Sequence, residues 1–136
     1  MVESSSVVAR LERAINEHDL ERLVLCFHED IRSEQPTHPA RSFRGREQIR
    51  RNWSMIFAGV PDLRATVLRR VAAGDVAWAE WQWQGTRADG SPADMGGVTI
   101  LGIAGGEIAW VRFYMEPVEQ AGADIGAVVR QHATGR

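Results

Sequence analysis

Residues 76–86, V-A-W-A-E-W-Q-W-Q-G-T, decide the fold of this chain. From residue 77 to residue 84 the odd-numbered positions are apolar and the even-numbered ones mostly polar, which is the pattern of a β-strand with one buried face. The apolar face carries Ala77, Ala79, Trp81 and Trp83. Small side chains beside tryptophans leave open space, so this face can line a pocket as readily as it can fill a core. We therefore expect the rest of the chain to build a second wall opposite it.

The composition is that of one domain, residues 1–136, with a sizeable hydrophobic core. The formal net charge is −2, so no overall basic field attracts nucleic acid or an anionic membrane. The chain has no lysine, which excludes Schiff-base chemistry on a lysine side chain. The single cysteine, Cys26, cannot form an internal disulfide and is expected inside a helix.

The sequence shows no targeting, membrane or metal signal. Glu3 stands where a signal peptide needs basic residues, and no apolar run approaches ~18–20 residues. The four histidines have no HxH or HExxH spacing. We therefore expect a cytoplasmic protein that has no contact with a membrane and needs neither a metal nor a cofactor.

Three helices are expected before the tryptophan strand. Apolar residues recur with helical spacing over residues 7–15, and the serines at 4–6 can cap that helix. A second helix is expected to begin after Asp19, its N-cap, and to end at residues 28–30. A third helix is expected over residues 46–58.

The second half of the chain predicts strands joined by short turns. Four are expected over residues 63–72, 76–86, 95–103 and 107–116. A shorter strand, residues 31–35, is expected earlier and leads into a proline-rich loop. Helices grouped before a run of hairpins indicate an α+β fold. A short last helix is expected after its N-cap, Asp124, with three side chains facing inward: Ile125, Val128 and Val129.

Four short motifs resemble the NTF2-like superfamily, and SnoaL-like proteins in particular. They are N-E-H-D-L-E at residues 16–21, C-F-H-E-D at 26–30, F-R-G-R-E-Q-I at 43–49 and G-E-I at 106–108. The resemblance extends over nearly the whole chain, and it is the order and spacing of the motifs together that are specific to the fold. The resemblance implies a cone in which N-terminal helices pack on a curved, mostly antiparallel sheet that encloses a pocket. It also implies a homodimer formed through the outer face of the sheet.

The expected pocket lies between the first and third helices and the tryptophan strand. An aromatic lining favours a flat, hydrophobic small molecule as ligand. Gln35, on the proline-rich loop at the expected mouth, can hydrogen-bond a ligand carbonyl. The candidate ligand-binding residues are Leu11, Ile15, Gln35, Trp53, Phe57, Trp81, Trp83, Val98, Phe113 and Met115.

The resemblance does not extend to ketosteroid isomerase activity. That chemistry needs a carboxylate base and an oxyanion hole made of a tyrosine and a protonated aspartate. Aligned on the shared motifs, this chain has Leu11 at the tyrosine, Gln35 at the base and Val98 at the acid. We therefore do not expect this isomerase reaction.

Glu116 and His38 are the candidate catalytic residues. The last strand ends in Y-M-E at 114–116, which resembles SnoaL-like cyclases, and a carboxyl in an apolar pocket can act as a general acid or base. Without a bulge, however, Glu116 faces away from Phe113 and Met115. His38 lies on the loop at the expected mouth and can transfer protons near neutral pH.

Three functions stay open on the sequence alone. The first is a cofactor-independent cyclase, isomerase or lyase acting on a polyketide-like or aromatic substrate, with Glu116 or His38 as the proton-transfer group. The second is a non-catalytic protein that binds a hydrophobic small molecule. The third is a dimerising interaction module whose pocket is incidental. The NTF2-like fold hosts all three kinds of protein, so the fold does not choose between them.

Overall fold

The computed structural model describes residues 2–136 and confirms the predicted α+β class. The elements in chain order are α1 (Val2–Asn16), α2 (Leu20–Leu25), β1 (Phe27–Glu34), a 3-10 helix (Pro39–Arg41), β2 (Phe43–Arg44), α3 (Arg46–Gly59), β3 (Arg64–Ala73), β4 (Val76–Gln84), β5 (Met95–Ala104), β6 (Glu107–Pro117) and α4 (Ile125–Thr134). In this part of the chain no helix combines the length and the apolar character needed to cross a membrane.

All six strands form one curved, unclosed sheet in the order β2-β1-β6-β5-β4-β3. β1 runs parallel to β6, and every other pair of neighbours is antiparallel. The parallel pair arises because the chain returns from the hairpins to lie beside the strand that it formed first. α1 packs on β3, β4 and β5, while α3 packs on α2 and β1.

The alternation in β4 is confirmed. Ala77, Ala79, Trp81 and Trp83 are buried on the helix-covered face. The other face is open, and 49% of Trp78 is exposed there. The strand therefore presents its aromatic side chains to the helices, as its period of two requires.

The C-terminal end of α1 is bonded to the free edge of the sheet at β3. The Asn16 side chain donates from Nδ2 to the Ala65 carbonyl oxygen at 2.8 Å, and its Oδ1 accepts from the Ala65 N–H at 2.7 Å. Glu12 Oε2 accepts from the Val67 N–H at 2.8 Å. An edge strand exposes unpaired backbone groups, so these contacts satisfy polar groups that would otherwise template pairing with another chain.

His18 and Ser4 extend this attachment to both ends of β3. His18 Nε2 donates to the Leu63 carbonyl oxygen at 2.9 Å, just before the strand begins. Ser4 Oγ donates to the Gly74 carbonyl oxygen at 3.0 Å, just after it ends. Ser4 therefore lies inside the first helix rather than at its N-cap, and residues 4–6 do not begin the helix.

β1 begins earlier than the sequence pattern indicates. The prediction that α2 extends to residues 28–30 is wrong, because Cys26 is the C-cap of α2 and Phe27 already pairs with Ile108 of β6. The Ile108 N–H donates to the Cys26 carbonyl oxygen at 2.8 Å. Tertiary pairing with a strand eighty residues further on thus overrides the local helical pattern.

The prediction for α4 is half right. Asp124 is its N-cap, and its carboxylate accepts from the Ala127 N–H at 2.9 Å. The prediction that three of its side chains face inward is wrong, since Ile125, Val128 and Val129 are 77%, 48% and 55% exposed. The side-chain spacing specifies an apolar face but not a surface for that face to cover.

Candidate functional site

A cavity of about 550 Å³ lies between α1, α3 and the concave face of the sheet. This volume is within the range of sites that enclose a small organic molecule. Most of the predicted ligand-binding residues line it: Leu11, Ile15, Gln35, Trp53, Trp81, Trp83, Phe113 and Met115.

Aromatic rings from three elements form one wall of the cavity. The centroid of the Trp83 ring lies 5.2 Å from that of Trp53 in an edge-to-face arrangement and 6.1 Å from that of Phe113. Trp81 meets Trp83 edge-on at 6.5 Å. These spacings are those of favourable aromatic pairs, so the rings hold one another in place and leave a shaped apolar surface.

Phe57 and Val98 were predicted to contact ligand but do not line the cavity. The Phe57 ring stacks on His18, with centroids 4.6 Å apart and ring planes 13° from parallel. Val98 pairs with Glu80 and Tyr114, which places it on the outer face of the sheet.

Sequence reasoning missed three lining residues on β5, namely Met95, Thr99 and Leu101, of which Thr99 is polar. Thr99 is buried, and its Oγ1 accepts a hydrogen bond from Trp81 Nε1 at 2.9 Å. β5 has apolar residues on both faces, and Thr99 is a polar residue on the inner one, so hydrophobicity does not identify the inner face of this strand. The signal that could have found Thr99 is the register with β4, where it pairs with Ala79 on the known inner face.

Several polar groups around the cavity have hydrogen-bond donors to offer a ligand. Thr99 uses its oxygen to accept from Trp81, which leaves its hydroxyl hydrogen free to donate. Asn52 Oδ1 accepts from Gln48 Nε2 at 2.7 Å, which leaves the Asn52 amide hydrogens available. Trp83 Nε1 is buried and has no hydrogen-bond partner in the described chain. A ligand with acceptor oxygens matches this set.

Arg41 is the single charged residue among the described residues that line the cavity. It ends the 3-10 helix, and its backbone N–H donates to the His38 carbonyl oxygen at 2.9 Å. No carboxylate and no imidazole is found among the lining residues of the described chain. The cavity wall therefore offers positive charge and donors but no general base of its own.

His38 and Glu116 lie together outside the cavity wall. His38 Nε2 donates to Glu116 Oε1 at 2.6 Å, and both side chains are partly exposed to solvent. Glu116 pairs with Gly96, while its neighbours in β6, Met115 and Pro117, line the cavity. The side chain of Glu116 thus points away from the space that its neighbours enclose.

The position of the bulge in β6 explains the direction of Glu116. The register with β5 shifts between the pairs Gly102–Trp110 and Ile103–Ile108, which leaves Ala109 unpaired. From Trp110 onward the pairing is regular. Because the irregularity lies at the start of the strand, strict alternation keeps Glu116 on the outer face.

Two further titratable side chains, those of Asp62 and Cys26, have structural roles rather than a place in the cavity wall. Asp62 Oδ1 accepts from the Thr86 N–H at 2.8 Å, and this bond lowers the pKa of the carboxyl below its ordinary value. Burial raises the pKa of the Cys26 thiol, and Cys26 does not line the cavity. Neither group is placed to act on a molecule in the cavity. Across residues 2–136 no three side chains of the metal-ligating types cluster.

The fold agrees with the comparisons to known proteins. Residues 8–111 match the model of the SnoaL-like domain family, and the chain belongs to that family. Among curated protein sequences, none matches this chain significantly.

Solved structures with the same architecture come from several bacteria. IdmH of Streptomyces antibioticus, a proposed polyketide cyclase, is 25% identical with a TM-score of 0.72, over 83% of this chain and 91% of IdmH. TsrD of Streptomyces laurentii is 25% identical with a TM-score of 0.70, over 85% and 87% of the two chains. A Catenulispora acidiphila protein of ketosteroid isomerase-like fold, solved with trimethylamine, is 23% identical with a TM-score of 0.68, over 79% and 84%.

Proposed function

We propose that this protein binds a flat, hydrophobic small molecule in the cavity between α1, α3 and the sheet. The observation that carries the proposal is the aromatic wall of a cavity of about 550 Å³, in which Trp83 meets Trp53 and Phe113. A core filled only by its own side chains leaves few voids larger than a water molecule. The similarity to IdmH supports a polyketide-like or aromatic ligand.

The test uses N-phenyl-1-naphthylamine, a neutral aromatic probe whose fluorescence rises in apolar surroundings. We expect saturable binding of one probe per chain. Phe113→Ala should weaken binding about tenfold, because losing ~50–60 Å² of apolar contact removes about 1.4 kcal/mol. The matched control is Phe57→Ala, which removes a ring that packs beside Trp53 but does not line the cavity.

Phe57→Ala should change the probe's Kd by less than about twofold. Thermal unfolding of both variants shows whether the folded state persists at the titration temperature. Equal weakening by the two substitutions, or binding that does not saturate, would contradict the proposal.

A second candidate function is acid–base catalysis by the His38–Glu116 pair. It is favoured by the 2.6 Å hydrogen bond and by the position of Glu116 between two lining residues, Met115 and Pro117. The corresponding activity is a cofactor-independent cyclase, isomerase or lyase, in which the pair abstracts a proton α to a carbonyl at the mouth of the cavity.

This second function can be tested by proton exchange. Deuterium uptake at the α-carbons of 2-tetralone in D₂O is followed by NMR, with and without the protein. An enzyme of this class accelerates the exchange, and both His38→Gln and Glu116→Gln abolish the acceleration while the affinity for N-phenyl-1-naphthylamine stays unchanged. Exchange at the background rate with the unaltered protein leaves non-catalytic binding as the function.

We also propose that the protein is a homodimer formed through the outer face of the sheet. Apolar side chains are open to solvent on that face, among them Trp78 and Val71, which pair across β4 and β3. Trp78→Glu would place a charge at this surface and should convert a dimer into a monomer, as measured by analytical ultracentrifugation.

A further inference from the structure

We propose that the molecule held in the cavity is an organic anion, with a planar aromatic body against the Trp83 wall and a carboxylate or phenolate oxygen bound by Arg41. This inference rests on the proposed small-molecule binding and specifies the chemical class of the ligand. It follows from the charge and the hydrogen-bonding groups that the cavity presents.

Arg41 reaches the cavity without a counter-ion. Among the side chains of residues 4–136 no carboxylate forms an ion pair with its guanidinium, and none hydrogen-bonds to it. Two glutamates flank lining residues in the chain, and each has another partner. Glu34 lies 3.4 Å from the Arg112 guanidinium, and Glu116 is bonded to His38. Arg41 is therefore left as an unpaired cation on the cavity wall.

Arg41 is an exposed residue on a short, hydrogen-bonded turn of backbone. Pro39 opens the 3-10 helix and fixes its own φ angle, and the N–H of Ser42 donates to the Pro39 carbonyl oxygen at 3.1 Å. A guanidinium on such a support can bind a carboxylate through two parallel hydrogen bonds. An anion at this point replaces water around Arg41 with a matched partner.

The deeper polar groups favour acceptor oxygens as well. The Thr99 hydroxyl and the Asn52 amide can donate, and Trp83 Nε1 is a buried donor without a partner in the described chain. A buried donor left unpaired costs about 1–3 kcal/mol, so such groups are rare where no partner is ever supplied. A ligand oxygen that reaches the tryptophan cluster satisfies this donor. No lining residue of the described chain is acidic, so nothing in the wall repels an anion.

The experiment compares 2-naphthoate with its methyl ester by isothermal titration calorimetry at pH 7.5. The two probes share the aromatic body and differ in charge. We expect the protein to bind the acid at least about tenfold more tightly than the ester. Arg41→Gln should remove that advantage and leave the ester's Kd within about twofold, because glutamine keeps the polarity without the charge.

The matched control is Arg44→Gln. Arg44 is an exposed arginine on β2, three residues from Arg41, that does not line the cavity. It should leave both affinities unchanged. Raising the salt concentration should weaken only the binding of the acid, since an exposed ion pair is screened.

The outcomes separate this inference from the function on which it rests. If the acid has no advantage over the ester while both bind, or if the two arginine substitutions act equally, the anion proposal is overturned and cavity binding stands. If neither naphthalene probe nor N-phenyl-1-naphthylamine binds, the proposed function falls and this inference falls with it.

Discussion

Replacing Asn16 by alanine tests whether the first helix holds the edge of the sheet. The side chain makes two hydrogen bonds to the backbone of Ala65, at 2.8 and 2.7 Å, and Ala65 is only 3% exposed. Each bond contributes about 1 kcal/mol net, and a buried backbone group left without a partner costs about 1–3 kcal/mol. We expect Asn16→Ala to lower the free energy of unfolding by about 2–4 kcal/mol.

Urea denaturation and thermal unfolding measure this loss. For a chain of this length, 2–4 kcal/mol corresponds to a fall in Tm of about 6–15 °C. The control is Glu17→Ala, one position beyond the same helix end, because Glu17 is exposed and its side chain makes no hydrogen bond or ion pair with β3 in the described chain. It should change the unfolding free energy by less than ~0.5 kcal/mol.

A third variant separates the two hydrogen bonds. Asn16→Asp keeps an acceptor for the Ala65 N–H but places a carboxylate oxygen against the Ala65 carbonyl oxygen, so it should not rescue stability. Amide hydrogen exchange of Ala65 should accelerate in Asn16→Ala and less so in Asn16→Asp, which keeps the acceptor for that N–H. A loss below ~0.5 kcal/mol for Asn16→Ala, with Ala65 still protected from exchange, would refute the idea that these bonds hold the edge.

Two further predictions concern the strands and their turns. Gly97 has φ +145, and a Cβ there would stand 2.2 Å from the Tyr114 carbonyl oxygen, so Gly97→Ala should cost about 3 kcal/mol or more in urea denaturation. Gly90→Ala, at φ +86 with open space around it, should cost only about 1 kcal/mol. Asp62→Asn should lower Tm at pH 7. The hydrogen bond from the Thr86 N–H lowers the pKa of the Asp62 carboxyl from its ordinary 3.8. The ionised carboxylate therefore stabilises the folded state at pH values above 3.8. This difference should disappear as the pH falls through the lower pKa of the folded state, and a constant difference between pH 7 and pH 2 would contradict the assignment.

The sequence was sufficient for the elements whose pattern is local. β4 alternates strictly, and the Asp124 cap identifies the start of α4 without any tertiary contact. The sequence was insufficient where the secondary structure of a segment depends on a partner that lies far away in the chain. Phe27 is drawn into a strand by Ile108, and nothing near Phe27 in the chain records that pairing. The apolar stripe of α4 illustrates the reverse case, since periodicity describes a face but not its partner.

In the candidate site, too, the features set by a local sequence pattern were predictable and those set by strand pairing were not. The aromatic wall was predictable because large apolar residues on a strand with known parity must lie on the covered face. Val98 was misplaced because β5 is apolar on its outer face, so hydrophobicity alone assigns it to the wrong side. The direction of Glu116 depends on where a single unpaired residue, Ala109, interrupts the ladder, and no local pattern fixes that position.

The motifs that identify the family mainly support the fold. Asn16 and His18 bond to the backbone at β3, and Gly45 has φ +99 at the entry to α3, where its N–H donates to the Ile31 carbonyl oxygen at 2.8 Å. In this chain these residues cover the edge of the sheet and close the turn into α3, and none of the three lines the cavity.

The residues that give this cavity its chemistry lie outside those motifs. Arg41 and Asn52 flank the F-R-G-R-E-Q-I motif without belonging to it, and Thr99 is on a strand that contributes no motif at all. A substitution at any of these positions changes the charge or the donors of the cavity without disturbing the edge or the turns. Ligand class can therefore vary between relatives of the same fold, which is why the proposal of an anionic ligand rests on the unpaired cation and donors of the cavity wall rather than on family membership.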